Sequence, residues 1–116
     1  MISDLFIGID MERISRVNNL VNVEEKYLTN IFTKEELKLS KLQLAGNFSG
    51  KEATIKALYP IKKLNFQNIE ILRDEFGRPY VKVQDHLLND NFKIDISITN
   101  AEDFVTAVVI AQKLEN

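Results

Sequence analysis

Two carboxylates, Asp10 and Glu52, are the first residues of this sequence that could do chemistry. Asp10 closes the segment of residues 4–10, a predicted buried strand, and Glu52 falls within the apolar side of a predicted helix. A carboxylate that faces a protein interior costs several kcal/mol unless it is paired, hydrogen-bonded or bound to a cation. If the helix crosses the strand, the pair could hold Mg²⁺, which takes one or two carboxylates together with waters and phosphate oxygens.

Each of these residues also has a plain structural explanation. Asp10 could cap the N-terminus of a following helix, and Glu52 could form an ion pair with Lys56, four residues later. Lys51 and Lys56, on either side of Glu52, could neutralise phosphate charge or transfer a proton, or could lie on a solvated helix face. His86 is the only histidine of the sequence and is expected to be a surface or packing residue.

The elements that must position these side chains are predicted from hydrophobic periodicity and turn residues. The strand over 4–10 leads directly into a helix over 11–20, and a second helical stretch is predicted near 23–31. Further strands are predicted over 64–73, 79–84, 93–99 and 104–112, with Gly77 marking a hairpin turn between the first two. Segment 104–112 is apolar on both faces, as in a buried interface strand. The outline is an α+β fold, a mainly antiparallel sheet packed against a long helix.

The long helix is predicted to start at a capping box, "TKEE", formed by Thr33 and Glu36. It continues, with a break at Gly46, to Tyr59, and Pro60 ends it. Its apolar side, at about 100° per residue, contains Leu44, Ala45, Phe48, Ile55 and Tyr59.

Composition favours a single domain over residues 1–116. The sequence is 45% hydrophobic, and its formal net charge of −2 gives no basic footprint for nucleic acid. It contains no cysteine, which excludes disulfides and thiolate metal sites. Neither a charged-then-apolar leader nor an apolar run of membrane-spanning length is apparent, so we expect a soluble, cytoplasmic protein without membrane contacts.

Five motifs resemble those of one known family. "IGIDMERISR", "FTKEEL", "LAGNFSGKEATIKAL", "FGRPYV" and "ISITNAEDF" occur in the order and spacing of the holo-acyl-carrier-protein synthases, the small single-domain 4′-phosphopantetheinyl transferases. The most specific feature is the combination of "GID" with "KEATIKA". The resemblance implies transfer of the phosphopantetheine arm of coenzyme A to a serine of an apo acyl or peptidyl carrier protein, with release of adenosine 3′,5′-bisphosphate.

The resemblance also implies roles for individual residues. Asp10 and Glu52 match the two metal ligands and, with Lys56, are the expected catalytic residues. Lys51 and Lys56 match lysines that contact the cofactor phosphates, and Lys56 is implicated in proton transfer. This agrees with the chemistry, because attack by a serine hydroxyl on a pyrophosphate requires the negative charge of the phosphates to be neutralised.

Two further sets of basic residues receive roles from the resemblance. Arg16 matches a first-helix arginine that faces the acidic recognition helix of the carrier, and Arg13 is assigned to the same surface. Lys62 and Lys63 are expected to contact coenzyme A, because they lie where the family has a glycine-rich phosphate loop. The resemblance further implies a homotrimer with active sites between subunits and a role in fatty-acid synthesis.

The sequence departs from the family pattern at several positions. The stretch after the long helix contains no glycine, Asn47 replaces a usual arginine, Asn100 replaces a histidine, and Gly50 replaces an alanine. The departures are compatible with two interpretations of the chain. It could be a working transferase specialised for one carrier, or a binding module with weak catalysis. The two carboxylates alone would also suit a metal-dependent phosphohydrolase.

Overall fold

The computed structural model describes residues 4–22 and 25–114. In chain order the strands and helices are β1 (Leu5–Arg13), α1 (Ile14–Val21), α2 (Glu25–Leu28), α3 (Lys41–Leu58), β2 (Ile69–Arg73), β3 (Pro79–Val83), α4 (His86–Asn91), β4 (Phe92–Ala101) and β5 (Phe104–Lys113). The predicted α+β class is confirmed. Among the described helices, none has the length and apolar character needed to cross a membrane.

The strands form two antiparallel sheets. One has three strands in the order β1-β5-β4, and the other is the hairpin β2-β3. The hairpin turns at Gly77, whose φ of 82° lies in the region that favours glycine, as the sequence predicted. In the larger sheet, the central strand β5 pairs Val108 with Ile9 of β1 and Val109 with Ile96 of β4.

Helix α3 lies directly against β1 because small residues meet where the two cross. A Cβ atom at Gly8 would be 1.9 Å from the carbonyl oxygen of Ala53 and 2.7 Å from the amide nitrogen of Ala57, so only glycine fits there. Ala53 and Ala57 also pack on Val109 of β5. This close approach fixes the position of the residues that follow Gly8 on β1 relative to α3.

The structure corrects the predicted start of the first helix. Strand β1 continues to Arg13, so the helix begins at Ile14 and not at residue 11. Asp10 therefore lies inside the strand and cannot cap the helix. The helix predicted near 23–31 spans only Glu25–Leu28 of the described residues, and residues 23 and 24 lie outside them.

The long helix also begins later than predicted. Thr33 and Glu36 do form the reciprocal hydrogen bonds of a capping box, but these support only a single 3₁₀ turn over residues 36–38. Helix α3 begins at Lys41, after a second capping box between Ser40 and Gln43. Gly46 does not interrupt it. The predicted end is confirmed, since the helix stops two residues before Pro60.

Candidate active site

The structure brings Asp10 and Lys56 together where α3 crosses β1. Lys56 Nζ lies 3.4 Å from Asp10 Oδ1 and donates a hydrogen bond to the carbonyl oxygen of Ile9 at 3.0 Å. About two helical turns earlier, the Ser49 hydroxyl donates to the carbonyl oxygen of Asp10 at 2.9 Å. Helix and strand are therefore bonded on both sides of the Asp10 side chain. Lys56 itself is about half exposed, so its ammonium group is accessible to a substrate.

Glu52 lies beside Asp10, whose charge makes the ionisation of Glu52 less favourable. Burial raises the pKa of Glu52, the negative charge of Asp10 raises it further, and Lys56 partly opposes this. Lys56 pairs with Asp10, so the alternative of a Glu52–Lys56 ion pair is not what the structure shows. The two carboxylates together carry more negative charge than Lys56 neutralises. A bound cation would balance the remaining charge.

The Asp10 carboxylate is also incompletely hydrogen-bonded. The Asp10 side chain is only 11% exposed, and its Oδ2 atom is buried without a hydrogen-bond donor among the described residues. Buried acceptors are normally satisfied, so this atom calls for a ligand that donates or carries positive charge. In residues 4–22 and 25–114 no group of three or more acidic, imidazole or thiol side chains is placed to hold a metal. A divalent cation on Asp10 and Glu52 would therefore take its other oxygens from water and substrate, as Mg²⁺ commonly does.

Glu12 is a third carboxylate of this region that sequence reasoning missed. It follows Asp10 by two residues on β1, so both side chains point to the same face of the strand. Burial raises the pKa of Glu12, and the nearby Asp10 carboxylate raises it further. When both are ionised, neither can donate. Arg16 Nη1 lies 3.8 Å from Glu12 Oε2. Strand periodicity would have indicated Glu12 if β1 had been predicted to continue past Asp10.

Lys51 does not join the site, and this argues against its predicted contact with the cofactor. The side chain is fully buried, with Nζ 2.5 Å from Glu36 Oε1 and donating to the carbonyl oxygens of Ile31 at 2.6 Å and Phe66 at 3.3 Å. Burial lowers the pKa of Lys51, while Glu36 acts to raise it. All three ammonium protons have acceptors inside the protein, so Lys51 joins the loop before α3 to the segment after it.

Asn47 belongs to the same buried network. Its amide donates to Glu36 Oε2 and to the carbonyl oxygen of Ile71, both at 2.8 Å, and its carbonyl accepts from Arg73 Nη1 at 2.9 Å. Burial lowers the pKa of Arg73, which Glu36 opposes. The guanidinium has no ion-pair partner within the described part of the chain. It lines a cavity of about 220 Å³, whose wall also includes Asn100.

The remaining predicted residues lie at two other places. Lys62 follows α3 and forms an ion pair with Asp85, and the hydrogen bond from Lys62 lowers the pKa of Asp85. Lys63, next to it, is exposed. Arg16 on α1 is 73% exposed, and the Arg13 guanidinium lies 4.8 Å from the centre of the Phe104 ring.

Comparison with known proteins defines the class to which this fold and site belong. Residues 6–109 match the family model of the 4′-phosphopantetheinyl transferase superfamily. The chain therefore belongs to that superfamily, and the family resemblance predicted from its motifs is confirmed.

Individual relatives are named as synthases within this family. Holo-[acyl-carrier-protein] synthase of Staphylococcus carnosus is 36% identical to this chain over 119 residues, which cover 93% of the chain and 97% of that protein. The synthase of Leuconostoc citreum is 37% identical over 118 residues, covering 93% and 84%.

Solved structures of the same type share the fold. Helicobacter pylori holo-[acyl-carrier-protein] synthase in complex with coenzyme A superposes with a TM-score of 0.80 at 29% identity, covering 91% of this chain and 99% of that one. The synthase from Neisseria meningitidis has a TM-score of 0.78 at 27% identity, covering 93% and 98%.

Proposed function

We propose that this chain, as one domain, transfers the 4′-phosphopantetheine group of coenzyme A to a serine of an apo acyl carrier protein and releases adenosine 3′,5′-bisphosphate. Family membership and the names of the relatives support the reaction. The observation that carries the proposal is the buried Oδ2 atom of Asp10, which has no donor in the described part of the chain and lies beside Glu52 and Lys56.

Asp10 and Glu52 are the residues that would hold Mg²⁺. When bound, the ion would neutralise oxygens of the pyrophosphate and stabilise the leaving phosphate. Lys56 adds a positive charge at the same place, and its half-exposed ammonium group is able to give a proton to the departing phosphate oxygen. The carbonyl of Ile9 fixes the direction of that ammonium group.

We assign contact with the other phosphates of coenzyme A to two basic residues, Lys63 and Arg73. Lys63 is exposed in the segment that follows α3. Lys62, the residue before it, would first have to break its ion pair with Asp85. Arg73 supplies a guanidinium directly beside Asn47, the position where the family usually has arginine. The charge missing at position 47 is therefore present nearby, from a different element of the fold.

The outer face of the larger sheet supports a homotrimer. Its β1 and β5 strands expose apolar side chains, and Ile7 and Ile9 are 67% and 60% accessible in the single chain. A contiguous apolar surface of this kind favours burial against another protein. Its members are Leu5, Ile7, Ile9 and Met11 on β1 and Val108 and Ile110 on β5.

An oligomer formed through this face would be disrupted by a charge within it. We expect Ile7→Lys to give a monomer in sedimentation equilibrium, because a lysine beside Ile110 would have to be buried in the interface. Phe76→Lys is the control, since Phe76 is 82% exposed at the hairpin tip. A trimer that persists in Ile7→Lys and dissociates in Phe76→Lys would place the interface elsewhere.

The reaction is tested by intact-mass spectrometry of apo carrier proteins incubated with this chain, coenzyme A and Mg²⁺. We expect one phosphopantetheine group to be added, with EDTA abolishing the gain. Asp10→Asn and Glu52→Gln should remove activity while leaving the fold intact. Glu35→Gln is the matched control, because it removes one carboxylate from an exposed ion pair with Lys38.

The other outcomes identify the alternatives. Carrier binding without transfer, by a folded wild-type protein, would establish a binding module in place of an enzyme. Hydrolysis of coenzyme A in the absence of carrier would establish a phosphohydrolase. Full activity in both carboxylate variants would refute the metal site. The cytoplasmic location and the role in fatty-acid synthesis stay predictions of the sequence.

A further inference from the structure

No side chain at the start of helix α1 caps the helix itself. Its N-cap residue is Arg13, which makes no side-chain hydrogen bond to the helix, and the first turn contains no acidic residue. The donors at the start of the helix find their acceptors on Asp103, in the turn between β4 and β5. The Asp103 carbonyl oxygen accepts from the Ile14 amide at 2.8 Å, and its Oδ1 and Oδ2 atoms accept from the Ser15 amide at 3.0 Å and the Ser15 hydroxyl at 2.6 Å.

This contact adds hydrogen bonds to a helix that packing alone holds. A helix of eight residues is too short to be stable alone, and its one fully buried residue is Val17, which packs with Ala45 and Val105. Ile14 and Val21 are partly buried against the same cluster, so packing fixes which side of α1 faces the core, while Asp103 accepts the hydrogen bonds of the first turn. A carboxylate at this end also interacts favourably with the helix dipole. The hydrogen bonds from Ser15 lower the pKa of Asp103, so it stays ionised at neutral pH.

The residue after this turn contacts Arg13, the last residue of β1. The Arg13 guanidinium lies 4.8 Å from the centre of the ring of Phe104, the residue after Asp103. Arg16 is one turn further along, exposed, and near Glu12. The position of Arg16 therefore depends on where α1 begins, which the hydrogen bonds to Asp103 help to fix, whereas Arg13 is held by the pairing of β1 with β5.

We propose that Asp103 is a positioning residue for carrier docking, because it fixes the start of α1 and so the position of Arg16. The inference rests on the proposed function and on the contact of Arg16 with an acidic carrier that the family resemblance implies. Asp103 itself contacts neither carrier nor coenzyme A in this role. Its loss should weaken recognition of the carrier without changing the chemical step.

The test compares Asp103→Ala with Asp103→Asn. Asparagine caps a helix about as well as aspartate, whereas alanine cannot accept the Ser15 hydrogen bonds. We expect Asp103→Ala to raise KM for the apo carrier roughly fivefold, with kcat and KM for coenzyme A unchanged, and Asp103→Asn to restore most of the loss. Amide exchange at Ser15 and Arg16 should accelerate by a similar factor in the alanine variant. Asp90→Ala, an exposed acid on α4, is the control.

Each other outcome overturns the inference or separates it from the proposed function. Parallel changes in both KM values and kcat that follow the loss of thermal stability would show a purely structural cap. Faster exchange in α1 with an unchanged KM for the carrier would show that docking does not depend on the helix start. If the wild-type protein transfers nothing, the proposed reaction fails, and the same variants are then compared by calorimetric binding of the apo carrier. Equal affinities in that measurement would overturn the role of Asp103.

Discussion

Replacement of Lys51 by methionine gives the sharpest test of how this site is built. Lys51 and Lys56 lie five residues apart on the same helix and were both predicted to contact the cofactor. The structure gives them opposite environments, since the Lys51 side chain is 0% exposed and the Lys56 side chain is 54% exposed. We therefore expect Lys51→Met to impair folding and Lys56→Met to impair transfer, with little overlap between the two effects.

The size of the folding effect follows from the partners of Lys51. Removal of one member of a buried ion pair costs about 3–5 kcal/mol, because the other charge, here Glu36, is left without compensation. The carbonyl oxygens of Ile31 and Phe66 lose their donor as well. Methionine fills similar space, so little of the loss would come from a cavity. For the exposed Lys56 the equivalent change is about 0–1 kcal/mol.

The assay is urea unfolding followed by far-UV circular dichroism, at one protein concentration because assembly would contribute to stability. If Lys51→Met fails to fold, the double variant Glu36→Gln with Lys51→Met should recover part of the loss, since the charge of Glu36 is then removed together with that of its partner. The reasoning is refuted if Lys51→Met unfolds at the wild-type urea concentration and raises KM for coenzyme A. That result would mean that Lys51 contacts the cofactor.

Two further predictions concern the crossing of α3 and β1. Gly8→Ala should lower the free energy of unfolding by about 1–3 kcal/mol or more and reduce transfer, because its Cβ would meet the backbone of Ala53, which cannot move aside. Gly50→Ala should cost less, because the nearest atoms there are side-chain ends such as Ile71 Cδ1, and equal losses of stability in the two variants would contradict this. The raised pKa of Glu52 means that its ionisation destabilises the fold as pH rises from its ordinary value of 4.5. In EDTA, Glu52→Gln should therefore be more stable than wild type at pH 7 and equal to it at pH 4. Thermal melts at both pH values check this, and a variant less stable at pH 7 would count against it.

The fold class was predictable because the relevant signals are local. Alternation in β4, the glycine turn of the hairpin and Pro60 after α3 each act within a few residues. The start of α3 was missed because two capping boxes occur in succession. Thr33 with Glu36 and Ser40 with Gln43 both have the pattern, and only the second is followed by a continuous helix. Which of the two capping boxes starts the long helix depends on the burial of Glu36 in the core. Hydrophobic periodicity does not reveal that burial.

The site was predictable in part for the same reason. Asp10, Glu52 and Lys56 sit in recognisable motifs, and the structure brings them together. The apolar stripe of α3 was a poorer guide, because Tyr59 is 63% exposed while Asn47 and Lys51 are fully buried. A lysine is buried only when a distant partner compensates its charge, and that partner is identified by the tertiary structure alone. Contacts across many residues, such as the one between α1 and the β4–β5 turn, were undetectable for this reason.

The buried amide of Asn47 has a consequence for how this sequence can vary. Three hydrogen bonds connect it to Glu36, Ile71 and Arg73, so it is a junction and not a vacant position. An arginine at position 47 would break all three bonds and place two guanidinium groups side by side. Substitutions at 47 and 73 are therefore interdependent, and a designed variant would have to exchange both residues together. Asn47→Arg alone would produce a less stable protein.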